Sequence, residues 1–174
     1  MYSENELKYV VVVNRTCPLW KTFNIVAHLS NALARQMRSR DDLAFVSYQG
    51  ASGTLYGEFP VHPYIVLQAN SGEKLRNVAT SVRKAGLAIV SIIDPMIGNS
   101  TEEQVQAAKE TEEDKAEYVG IAFYGDSSIV NSITKKLSAL RIDVTLNEII
   151  EMVKADEARK SAMLFQSTEG EGVR

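Results

Sequence analysis

Five polar residues, Lys21, Asn24, His28, Asn31 and Arg35, recur at steps of three, four, three and four. On a helix that spacing sets them along one stripe, with Lys21 and His28 two turns, about 10 Å, apart. An ammonium opening such a stripe can stabilise a developing oxyanion, and an imidazole can move a proton or hold a polar group. Any amphipathic helix also shows a hydrated stripe, so the spacing alone leaves both readings open. Asp94 directly follows the apolar run LAIVSII. A carboxylate there can be desolvated and poised as a base or orienting group, or Asp94-Pro95 can simply start a turn. Asn14 ends an earlier apolar run and Gly125-Asp126 a later one. Ser127 and Ser128 come next, where they can hold an anion at a helix start or merely cap it. In open α/β sheets ligands gather at the carboxyl ends of the strands, which would unite Asn14, Asp94 and Gly125. Cys17 reads as a small packed residue rather than a nucleophile with His28 as its base. His62, between Pro60 and Pro63, reads as structural.

These positions need elements to hold them. Residues 8–13, KYVVVV, form a nearly continuous β-branched run, as in a strand covered on both faces. Across 22–39, Val26, Leu29, Leu33 and Met37 keep a helical period. Residues 44–48 and 54–56 flank Gly50 to Gly53 as a hairpin, and 61–68 and 87–93 read as strands. Ser71 can cap a helix running to 85, with Gly86 as its left-handed stop. Ser100 with Glu103 has capping-box spacing and opens an acidic helix expected to reach residue 117. A strand is expected at 118–124, a helix at 127–140 and a last helix from Thr145. Strands alternating with helices predict an α/β domain, three-layer α/β/α, around a mixed, mainly parallel sheet of about four strands. The expected divisions are a domain at 1–141, a helical extension at 142–165 and a tail at 166–174.

Composition narrows the function classes. With 174 residues, 45% hydrophobic and 24% charged, the chain has the make-up of a globular domain. Its single cysteine excludes an internal disulfide framework. The opening MYSENELK lacks basic and apolar stretches, and no apolar run approaches the roughly 20 residues of a membrane helix. A cytoplasmic protein with no membrane partner is therefore expected. No phosphate-binding glycine loop, dinucleotide fingerprint, HExxH or paired cysteines occur, so neither cofactor nor metal is expected. The net charge of −3 disfavours tRNA as a partner. That charge is uneven, because residues 101–117 hold seven carboxylates against two lysines.

Three segments carry a family resemblance. YVGIAFYGDSSIVNSITKKLSAL at 118–140 resembles the closing strand and helix of the type II peptidyl-tRNA hydrolase superfamily. GLAIVSIID at 86–94 resembles its strand ending in an active-site aspartate, and KYVVVVNRTCPLWKTFNIVAHLSNAL at 8–33 its first strand and helix. The nearest likeness is to an uncharacterised bacterial branch known only as a domain of unknown function. The resemblance implies a peptidyl-tRNA hydrolase II-like fold, often dimeric, and an ester hydrolase. It implies Lys21, Asp94 and His28 as catalytic residues and Asn24, Gly125, Ser127, Asn131 and Thr134 as ligand-binding residues. Trp20 stands where active members have a glycine, and Lys135 replaces a second. The expected function is hydrolysis of an aminoacyl or peptidyl ester in a strand-end cleft. The alternative is a non-catalytic module, on the same fold, that binds a small ligand or a protein.

Overall fold

The protein's structure, a computed structural model, describes residues 6–40, 43–98 and 100–141. The chain divides after Leu140 into two units, and every described residue but Arg141 belongs to the first. The expected extension at 142–165 and tail at 166–174 fall outside the described residues.

β1 (Leu7–Asn14) is the middle of the fold, and its burial follows from composition. Val10, Val11, Val12 and Val13 are all at most 1% exposed, alternating between two apolar faces. β1 leads through a Pro18 turn into α1 (Leu19–Met37), which buries Ile25, Leu29, Leu33 and Met37 on one face of the sheet. A hairpin of β2 (Phe45–Gln49) and β3 (Leu55–Pro60) forms a separate two-stranded ribbon, with Tyr48, Leu55 and Tyr56 all exposed. β4 (Tyr64–Ala69) returns parallel to β1, and α2 (Gly72–Lys84) packs Leu75, Val78, Ala79 and Val82 on the face opposite α1. Ser71 accepts from the Lys74 N–H at its start, and Gly86, at φ 71°, stops it. β5 (Ala88–Ile93) runs into a 3-10 turn at Asp94–Met96 and then α3 (Thr101–Glu110), which has the full Ser100/Glu103 capping box. β6 (Tyr118–Asp126), α4 (Ser127–Thr134) and the short β7 (Ser138–Ala139) complete the described fold.

The five-stranded sheet has the order β5-β6-β1-β4-β7. This corrects the expectation of a mainly parallel, roughly four-stranded sheet. β1, β4 and β5 share a direction, but of the pairings only β1 with β4 is parallel, because β6 runs the other way between β5 and β1. The reason lies in residues 94–117. A parallel crossover must carry the chain back along the sheet before the next strand starts. Here the excursion ends where it began, since the Asp94 N–H donates to the Glu117 carbonyl at 2.9 Å. β6 therefore starts at the edge where β5 ends.

Two helices end earlier than expected. α3 stops at Glu110, not 117; past it Arg83 of α2 binds the Glu113 carboxylate at 3.0 Å and Arg76 donates to the Asp114 main-chain carbonyl. α4 stops at Thr134, and residues 138–139 pair with Leu67 and Gln68 of β4. Among the described residues no helix is long and apolar enough to cross a membrane.

Candidate functional site

The carboxyl edge, where β1, β4 and β5 end, gathers the polar residues. Asn14, 3% exposed, is tied up in holding the loop that starts α1. Its Oδ1 accepts from the Thr16 N–H at 3.1 Å and the Thr16 hydroxyl at 3.0 Å. Its Nδ2 reaches Glu117 Oε1 and the Tyr118 carbonyl, each at 3.5 Å. Glu117 lies in turn over the start of α2, so close to Gly72 that a Cβ there would overlap its carboxylate. The carboxylate thus faces the positive end of that helix.

Cys17 registers the charge at this edge. Its thiol pKa is raised, first by burial and then by the Asp94 and Glu117 carboxylates, while Lys21 opposes them. Burial thus favours the protonated thiol over the thiolate that a nucleophile needs. Lys21 and Asp94 therefore both act within electrostatic reach of one sulfur. Asp94 itself is exposed.

Beside this edge a cavity of about 490 Å³ opens between α1, β5 and the start of α3. Lys21, Asn24 and His28 line it from α1, so the stripe read from the sequence delivers its first three members to one place. Asn31 and Arg35 are not among the lining residues; Asn31 instead donates to the Ala27 carbonyl at 3.0 Å. The opposite wall is Met96, Ile97, Gly98, Thr101 and Gln104. Asp94 does not line the cavity, but opens the 3-10 turn whose last residue, Met96, does. Close packing brings α1 over the sheet: Gly120 has no Cβ, and one would stand 2.6 Å from Ile25 and 2.9 Å from Leu29.

Among the described α-helices, α1 alone starts without a side-chain cap. Pro18 precedes it, and its first turn holds no acid. Its positive end and Lys21 together make the cavity mouth attractive to anionic or carbonyl oxygen. Lys21 Nζ stands 5.9 Å from the centre of the Trp20 ring, which is 63% exposed at the same mouth.

Gly125, Ser127, Asn131 and Thr134 are not brought to this site. β6 is antiparallel to β1, and Gly125 pairs with Lys8 at the opposite edge. Gly125 is where Leu87 packs, and an added Cβ would lie 2.5 Å from that side chain. The helix start at Ser127 already holds an anion, because the Asp126 carboxylate accepts from the Ser128 and Ile129 N–H groups at 2.8 and 3.1 Å. Asn131 accepts from Lys8 at 2.9 Å, and Thr134 donates to the Val130 carbonyl at 2.9 Å. His62 lies tilted beside Tyr124, 5.9 Å between ring centres, and is not among the cavity-lining residues. Among the described residues no three His, Cys, Asp or Glu side chains cluster as metal ligands. Sequence reasoning missed Glu117, read as part of the acidic helix, and Gln104 and Ile97. Only the tertiary path of 94–117 places them here.

The Ser91 hydroxyl is buried without a partner among the described residues. Strand alternation puts it on the α2 face with Ile89 and Ile93, opposite Val90 and Ile92 on the α1 face. Ser91 still lines the cavity, so what it brings there is backbone rather than its hydroxyl.

The chain belongs to the family described as a protein of unknown function, DUF2000, whose model matches residues 7–141. No curated protein matches it. It is similar in structure to a protein of unknown function, Atu0240, from Agrobacterium tumefaciens strain C58. That likeness has a TM-score of 0.66 at 22% identity, covering 78% of this chain and 98% of the other. At that identity the likeness shows the fold.

Proposed function

We propose that this DUF2000 protein hydrolyses an aminoacyl or peptidyl ester bound between α1 and β5, on a three-layer fold of the type II peptidyl-tRNA hydrolase kind. The observation that carries the reading is the convergence of Lys21, Asn24 and His28 on one cavity, beside the turn that begins at Asp94. Lys21 and the uncapped start of α1 supply positive charge where a carbonyl oxygen would gain negative charge. Asp94 takes a proton from water as the water oxygen bonds to the acyl carbon. The carbonyl electron pair moves to oxygen beside Lys21, and the intermediate collapses by expelling the alcohol oxygen, which takes the proton back from Asp94. Asn24 and His28, one and two turns further along α1, hold the acyl portion. The Gly125–Ser127 turn, at the other edge, has no part in this.

The test is turnover of an N-acetylated aminoacyl ester and of peptidyl-tRNA by the purified protein. Lys21→Ala and Asp94→Asn should each lower kcat/KM by roughly 10²–10³-fold. Wild-type rates in both variants would overturn the assignment. One observation favours a second reading, a binding module without catalysis: Asp94 is exposed and outside the cavity lining. A small molecule retained in native mass spectrometry, with no turnover of either ester, would favour that reading.

A further inference from the structure

We infer that the cavity is a groove for an extended peptide segment that pairs, main chain to main chain, with the open edge of β5. Among the described residues β5 is the last strand of its sheet and pairs only with β6. Among the described residues, no hydrogen bond outside that pairing satisfies a backbone group of Ala88–Ile93. An edge strand presents such groups as a template for another chain, and proteins ordinarily blunt the edge with charge, proline or a bulge. The β5 sequence AIVSII carries no charge and no proline, and its one irregularity, between Ile92 and Ile93, is at its carboxyl end and leaves Ala88 to Ile92 in regular register. Three consecutive residues, Val90, Ser91 and Ile92, line the cavity. Neighbouring strand residues point to opposite faces, so three consecutive lining residues bring backbone as well as side chains to the cavity.

Length and charge fit the occupant. Lys21 to His28 spans seven residues of α1, about 10 Å. At about 3.3 Å per residue, an extended chain places three residues along that distance. One end of the groove is positive, with Lys21 and the uncapped α1 terminus, and complements a peptide's carboxyl-terminal carbonyl or carboxylate. β5 runs toward that end, so the peptide lies parallel to β5, with its carboxyl end at Lys21. Apolar walls from Ile25, Leu29 and Ile97 take alternate side chains. The orientation rests on the hydrolase reading, whereas the pairing does not.

The experiment uses an N-acetylated tetrapeptide amide of valine and leucine, which the proposed chemistry leaves intact. Titrated into the full chain, it should shift the backbone amide NMR signals of Val90 to Ile92, with Asp126 as an unaffected control. Four versions, each N-methylated at one residue, should then alternate, with at least tenfold weaker binding at every second position and little change between. That period of two is the signature of strand pairing. Equal losses at all positions, or no response in Val90 to Ile92 at millimolar peptide, would overturn the inference. Peptide binding with this alternation but no ester turnover would overturn the hydrolase reading alone. Turnover without a β5 response would overturn the groove alone.

Discussion

The two edges of the central sheet began with equivalent sequence signals and ended in different states. At each, polar residues follow an apolar strand and precede a helix. At the edge where β6 ends, every such residue has an internal use. Asp126 caps its own helix, Gly125 makes room for Leu87, and Asn131 holds Lys8. At the edge where β5 ends, α1 starts without a side-chain cap, and a cavity opens beside Lys21. A helix start is a site for ligand only where the protein has not already filled it with its own anion. The contrast separates polarity that the fold already uses from polarity left open to a ligand.

That contrast can be broken most directly at Lys21. Lys21→Ala should lower kcat/KM for the ester by about 10²–10³-fold, whereas Asp126→Ala should leave it unchanged. Equal effects in steady-state assays would erase the distinction between the edges. Next in size, Gly125→Val should destabilise the fold by about 1–3 kcal/mol in urea melts, because its side chain would meet Leu87. The KM of the folded fraction should not move. A smaller effect is expected at His28, where alanine should raise KM by about tenfold, about 1.4 kcal/mol, with kcat preserved. A fall in kcat instead would make His28 part of the chemistry.

The smallest effect sharpens the filled edge. Hydrogen bonds from the Ser128 hydroxyl, then from the Ile129 and Ser128 N–H groups, hold the Asp126 carboxyl below its ordinary range. Its folded pKa is depressed, so its stabilisation is present above the unfolded value and disappears as pH falls through the folded one. Thermal melts between about pH 5 and pH 2 should show a slightly shallower acid loss in Asp126→Asn than in the wild type. The carboxylate is exposed, so the difference is slight.

Local signals were legible in the sequence. Ser71 and Gly86 bound α2, Ser100 with Glu103 opens α3, and Gly50 to Gly53 turns the hairpin, because each acts over a few residues. The Lys21, Asn24 and His28 stripe was legible for the same reason, since helical period alone puts them on one side. The direction of β6 was not legible. Alternating strands and helices suggest crossovers, and nothing local says that 94–117 closes on itself through one Asp94–Glu117 hydrogen bond. The expected crossover set Gly125 beside Asn14 and Asp94, whereas the antiparallel β6 carries Gly125 to the opposite edge. The two-residue β7 was hidden because its pairing depends on β4 rather than on its own residues.

The position of β6 between β5 and β1 has a consequence for biosynthesis. Val12 pairs with Ile121, about 110 residues later, so the most apolar strand leaves the ribosome long before its antiparallel neighbour exists. At 5–20 residues per second, that delay is about 5–20 s. β4 arrives sooner to cover one side of β1, at Tyr9 with Tyr64 through Asn14 with Ala69. Until β6 is made, the other side of the KYVVVV strand is an unpaired edge in a crowded cell, and a natural target for chaperones that hold extended apolar chain.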